Sequence, residues 1–169
     1  MATATAKDAA RKLRMQYWND GMGNIAFPID PWEIAERLGI AVRPAMLDNN
    51  LAGFIVREQA DGPTEIYVNE SDHPVRQRFT LAHEIGHYIR HQDDPEPMGF
   101  VDERAELASS GTDSEEIWAN QFAAELLMPA AIVKKWWAEG LSIGDLRRKF
   151  NVSTPAMNNR LAGLGLLGR

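Results

Sequence analysis

Alternating hydrophobicity is confined to residues 40–69 in a chain whose apolar residues otherwise recur at helical spacing, and that confinement decides the fold class. Within it, residues 40–47, 52–58 and 65–69 read as three strands, with the Gly62-Pro63 turn joining the last two as a hairpin. Ahead of the strands, residues 7–18 have a helical pattern that ends before Gly21 and Gly23. A second helix is capped by Asp30, begins at Pro31, has Glu33 at capping-box spacing and closes at Gly39. Behind the strands the pattern predicts a helix over 75–91, an acidic proline-containing loop, and a helix over 113–128 stopped by Pro129. Three short helices follow, over 130–139, 142–149 and 154–162. Helices on both sides of a small antiparallel β-meander make an α+β domain. At 169 residues the length fits one domain, 1–169, with residues 1–24 as an N-terminal helical extension and 130–169 as a C-terminal helical subregion.

The chain has no cysteine, which removes disulfides, thiolate nucleophiles and cysteine-ligated zinc. Any metal must be held by histidines and carboxylates. No apolar run approaches the roughly 20 residues of a membrane span, and Met1–Ala10 has no hydrophobic block of the secretory kind, so the expected location is the cytoplasm. A net charge of −6 weighs against coating nucleic acid. That charge is unevenly spread: residues 93–125 carry ten acids against Arg104, a balance of −9, whereas 134–169 carry seven bases against two acids, a balance of +5. Charge runs are ordinarily solvated faces, and the basic segment is also a candidate partner surface.

Residues 83–87 read His83-Glu84-Ile85-Gly86-His87. On a helix a separation of four residues leaves the two imidazoles about 40° apart and one turn above each other. Both rings can then reach one metal ion, with Glu84 beside them to accept a proton from water at that ion. With His83 set at 0°, Leu81, Ala82, Ile85, Tyr88 and Ile89 fall between about 140° and 260°, so the apolar arc lies opposite the histidines. Gly86 weakens the helix by roughly 1 kcal/mol relative to alanine, which points to another element approaching closely there.

Two histidines need a third protein ligand. His91 lies one turn further on, but Tyr88-Ile89-Arg90 continues the helix and carries His91 past the metal. Glu116 is the better candidate. It flanks the apolar stripe Trp118, Ala119, Phe122, Ala123 and Leu126 of the next long helix, and a carboxylate at the rim of a buried face requires a partner. Asn120, one turn along the same edge, is placed to orient a ligand by a hydrogen bond. Glu115, a step nearer the solvent face, reads as an acid favouring the helix N-terminus.

The two blocks Arg78-Phe79-Thr80-Leu81-Ala82-His83-Glu84-Ile85-Gly86-His87 and Glu116-Ile117-Trp118-Ala119-Asn120-Gln121-Phe122-Ala123-Ala124-Glu125-Leu126-Leu127-Met128-Pro129 resemble the ImmA/IrrE-type metallopeptidases. Asp30-Pro31, Gly39-Ile40 and Asn69 resemble them too, and the likeness runs over about residues 25–165. It implies a zincin-like domain in which His83, His87 and Glu116 fall on the family's metal ligands and Glu84 on its catalytic base. It further implies an endopeptidase that cuts a helix-turn-helix repressor and so releases stress-response or mobile-element genes. One divalent ion is expected, zinc first, with manganese also able to accept two histidines and a glutamate. One of the strands is the expected seat of an extended substrate; the sequence singles out no oxyanion donor, since Tyr88 sits on the apolar arc and His73, Arg90 and His91 stand as alternatives.

Residues 141–161 resemble a helix-turn-helix, with Ser142 and Asp145 at capping-box spacing and Ser153 able to cap the second helix. Asn158, Asn159 and Arg160 are residue types that could touch DNA. Leu146, Phe150, Val152, Met157, Leu161 and Leu164 nevertheless form a packing seam, so structural support or repressor docking is favoured over DNA reading. The competing function is a regulatory module that binds a repressor or operator through these helices and cuts nothing. Glu84 argues against it, because a purely structural metal site has no use for a base.

Overall fold

The structure, a computed structural model, describes residues 4–94, 96–103 and 113–168. Seven helices and four strands lie within those residues: α1 (Ala6–Tyr17), α2 (Pro31–Arg37), β1 (Ala41–Ala45), β2 (Leu51–Arg57), β3 (Glu65–Asn69), α3 (Pro74–His91), β4 (Met98–Glu103), α4 (Ser114–Leu127), α5 (Ala130–Ala138), α6 (Ile143–Phe150) and α7 (Thr154–Gly163). The α+β class holds. Helix starts follow their caps: Thr5 accepts from Asp8 N, Asp30 from Trp32 N, Asp113 from Glu115 N, and Ser153 from Ala156 N. The Ser142–Asp145 capping box forms in both directions. The one expected at Asp30 does not, because the Glu33 carboxylate pairs with Arg37, four residues on.

The sheet is not an antiparallel meander. Its order is β1-β3-β2-β4, with β1 parallel to β3 and β2 antiparallel to both β3 and β4. Asn69 supplies the physical reason. Fully buried at the end of β3, its amide donates to Leu51 O at 2.9 Å and Leu47 O at 3.3 Å, while its Oδ1 accepts from Ser71 N and Oγ. The β1–β2 connection is thereby held across the end of β3, and β1 is delivered to the far edge instead of folding back on β2. Pro44, which has no N–H to offer a ladder, suits that edge. The fourth strand falls in the stretch expected to be an acidic loop. There the backbone of Met98–Glu103 pairs with β2, with a register shift between Leu51 and Gly53.

The core runs between the sheet and α3, continues under α4 and closes against the C-terminal helices, through Ile55, Ile66, Leu81, Ile85, Phe122 and Phe150, all essentially inaccessible to water. Buried arginines stitch these layers together through backbone carbonyls. Arg78, on the first turns of α3, donates to Ile29 O at 2.6 Å and Asn151 O at 3.0 Å. Burial pulls its pKa down from the ordinary guanidinium value. Arg57 of β2 gathers Gln92 O, Asp94 O and Glu96 O at 3.0–3.2 Å, fixing the chain as it leaves α3. Glu125 of α4 binds Arg14 of α1 and Arg160 of α7 and accepts from Ala130 N at the start of α5.

The expected packing seam is present: Leu146, Phe150, Val152, Met157 and Leu161 are buried, and Leu164 packs against them. Arg160 is not on a DNA-facing surface. Besides Glu125 it holds Met128 O at 2.9 Å, so its guanidinium is turned inward. Among the described residues no helix is long and apolar enough to cross a membrane. Glu106 and Arg104 of the acidic run lie outside the described residues.

Candidate metal centre

Helix α3 has no wet side through its middle, since Thr80 to His87 are buried without interruption. The apolar arc of Leu81 and Ile85 enters the core as expected, and the opposite edge, with both histidines, is covered by α4. Close approach of the two helices depends on Gly86. A Cβ there would stand 3.0 Å from Phe122 Cδ1 and 3.3 Å from Ala119 Cα, inside normal carbon–carbon contact.

This approach gathers three donors. His83 Nε2 lies 3.1 Å from Glu116 Oε2, His87 Nε2 lies 3.1 Å from His83 Nε2, and His87 Nε2 lies 3.2 Å from Glu116 Oε1. Among the described residues these three form the group that could hold a metal ion. The fit can be tested from the triangle itself. An ion bonded at about 2.0–2.1 Å to tetrahedrally arranged donors separates them by about 3.3 Å, close to the edges found. The donor chemistry fits too: two neutral imidazoles and one carboxylate leave a divalent ion with an open position.

Asn120 sits one turn from Glu116, and its Oδ1 is 2.9 Å from His83 Nδ1. With Nδ1–H donating to that oxygen, the Nε2 lone pair of His83 points at the donor triangle. Glu84 is fully buried beside His83 and is not one of the three clustered donors. It faces β2, where its Oε1 is 3.4 Å from the place a Cβ would occupy on Gly53. That same Cβ would come within 2.7 Å of Thr80 Cγ2 and Tyr67 O, so the β2 backbone can close over Glu84 only with glycine at this position. A glycine inside the apolar strand Leu51-Ala52-Gly53-Phe54 was the available sign of such an approach.

The remaining candidates are placed elsewhere. His91 is not with the donors: its Nδ1 meets Asp94 Oδ2 at 2.6 Å and its Nε2 meets Glu115 Oε2 at 2.7 Å. Arg90 pairs with Glu115 Oε1 at 2.7 Å, with its guanidinium over the Trp118 ring. His73 caps α3 by accepting from Val75 N, and Tyr88 packs against the core.

The sequence model of the IrrE N-terminal-like domain matches residues 35–162. Over 117 residues the chain is 28% identical to the uncharacterized immunity region protein 2 of Bacillus phage phi105, covering 69% of this chain and 70% of that protein. It is 32% identical over 128 residues to the radiation response metalloprotease IrrE of Deinococcus deserti, covering 69% of this chain and 44% of the relative. With its Deinococcus radiodurans counterpart it is 35% identical over 95 residues, 52% of this chain and 27% of the relative. The chain thus spans less than half the length of either Deinococcus protein.

Proposed function

The chain belongs to the IrrE N-terminal-like family, and from that premise we propose that it is a metal-dependent endopeptidase that cleaves a partner transcriptional repressor. The observation that carries the proposal is the triangle of His83, His87 and Glu116, with edges of 3.1–3.2 Å. These residues hold one divalent ion, zinc in the first instance, with manganese compatible with the same donors. A metal ion in such a site polarises a peptide carbonyl and lowers the pKa of water.

The side chains divide the remaining work. Asn120 accepts the Nδ1–H of His83 and keeps Nε2 free to ligate. Glu84, adjacent in sequence to a ligand but outside the donor triangle, takes a proton from the attacking water on a carboxylate oxygen and returns it to the departing amine nitrogen. The β2 backbone at Gly53 closes over that carboxylate, which is fully buried from bulk water.

A repressor as substrate is in keeping with the relatives, a metalloprotease of a radiation response and an immunity-region protein of a phage. The inward turn of Arg160 supports docking of a protein on α6 and α7 over reading of DNA. The test is incubation with a helix-turn-helix repressor, sought first among the genes that flank this one, with and without added metal, followed by electrophoresis. Discrete fragments that require metal and disappear with Glu84→Gln are expected. An intact repressor under all conditions contradicts the substrate assignment.

A further inference from the structure

The donors come from two helices that are not joined by a short turn, since β4 and its pairing with β2 lie between α3 and α4 in the chain. Their register must therefore come from contacts. Apolar packing at Gly86, Ala119 and Phe122 sets the separation of the helices but supplies no directional bond. Directional bonds between α3 and α4 occur on both sides of the donor triangle. One is His83 to Asn120. The other lies at Glu115, whose Oε1 meets Arg90 Nη2 and whose Oε2 meets His91 Nε2, both at 2.7 Å. Both oxygens of one carboxylate are thus used, on successive residues of the last turn of α3. The two partners are themselves braced, Arg90 over the Trp118 ring at 5.2 Å and His91 against Asp94 at 2.6 Å. Arg90 lies three residues beyond His87, and Glu115 directly precedes Glu116.

We propose that Glu115 is a positioning residue of the metal centre: its two bonds to the end of α3 lock the first turn of α4, and so place the Glu116 carboxylate against the two histidines. The inference rests on the metal reading above. A purely local role for Glu115, an acid favouring the N-terminus of α4, would touch helix stability and leave metal affinity alone. Asp113 caps α4 through Glu115 N whatever side chain stands at 115, so neutralising Glu115 leaves the helix start intact.

The experiment is metal affinity of the full chain by competition with a chromophoric chelator, using zinc, for wild type, Glu115→Gln, Arg90→Gln and the double variant. Melting of each metal-free protein is recorded alongside. Residues that orient ligands typically contribute about 10-fold to 100-fold in metal affinity. Glu115→Gln is expected to weaken zinc binding about 10-fold with an unchanged metal-free melting temperature. Arg90→Gln should weaken it less, because His91 remains, and the double variant should lose less than the product of the two single losses. Glu115→Gln within twofold of wild-type affinity, or a lowered metal-free melting temperature with unchanged affinity, overturns the proposal while leaving the peptidase reading intact. A wild-type chain that binds no zinc overturns both.

Discussion

Replacing Gly86 with alanine adds one methyl group where α3 and α4 meet, and the structure supplies both terms of the outcome. Alanine is worth about 1 kcal/mol more than glycine within a helix. Against this, the new Cβ lands 3.0 Å from Phe122 Cδ1 and 3.3 Å from Ala119 Cα. Phe122 is inaccessible to water and stacked on Trp118 at 5.5 Å, so its ring has no void to enter. Overfilling a packed core typically costs about 1–3 kcal/mol, and the net expectation is a loss of up to about 2 kcal/mol relative to wild type. Parting the helices also parts Glu116 from the histidines, so metal affinity should fall with stability. Gly163, in the last turn of α7 with nothing within 4 Å of its Cβ position, is the control. There alanine keeps the helical gain and should stabilise by a few tenths to about 1 kcal/mol. Urea unfolding of the metal-free proteins, comparing midpoints at constant slope, measures both. If Gly86→Ala stabilises as much as Gly163→Ala, close packing at Gly86 is not what sets the α3–α4 distance.

Glu125→Gln should destabilise by about 3 kcal/mol, the scale for breaking a buried ion pair, because Arg14 and Arg160 both lose their neutralising partner. Burial already pulls the Arg14 pKa down and Glu125 pulls it back up, so a loss below about 1 kcal/mol in chemical denaturation would contradict this account. Glu84→Gln should retain the metal and the folding stability while lowering cleavage by about 100-fold to 10,000-fold; loss of metal in that variant would make Glu84 a ligand. Reversing Arg147, Arg148 and Lys149 to glutamate should slow repressor cleavage strongly at unchanged metal content, and unfolded casein should be a poor substrate. Equal turnover of casein and repressor would remove docking as the source of selectivity.

Much of the candidate centre's geometry is legible in the sequence because it is local. Four residues of helix stack His83 on His87, and a glycine between them marks a close neighbour before that neighbour is known. Glu116 was reachable by a weaker argument, a carboxylate at the rim of an apolar stripe. What escaped depends on contacts between distant segments. Asn69 decides the sheet order by holding the β1–β2 connection, and no alternating pattern encodes that. The last strand exists because β2 has a free edge to pair with, while its own sequence reads as an acidic loop. Glu115 reads as an acid at a helix start, and its partners are on another helix. Arg160 reads as a residue type that could touch DNA, yet it is turned inward by Glu125, 35 residues away.

Metal content of the purified chain is the most direct measure of the central claim. After saturation with zinc and removal of free ion, the wild-type chain should hold about one ion, as a two-histidine, one-carboxylate site does. His83→Ala, His87→Ala and Glu116→Ala should each hold almost none, and His91→Ala should still fill its site at saturation, since its ring faces Asp94 and Glu115 and not the donor triangle. Full occupancy in Glu116→Ala, or a loss in His91→Ala as complete as that in His83→Ala, would contradict the assignment of the centre.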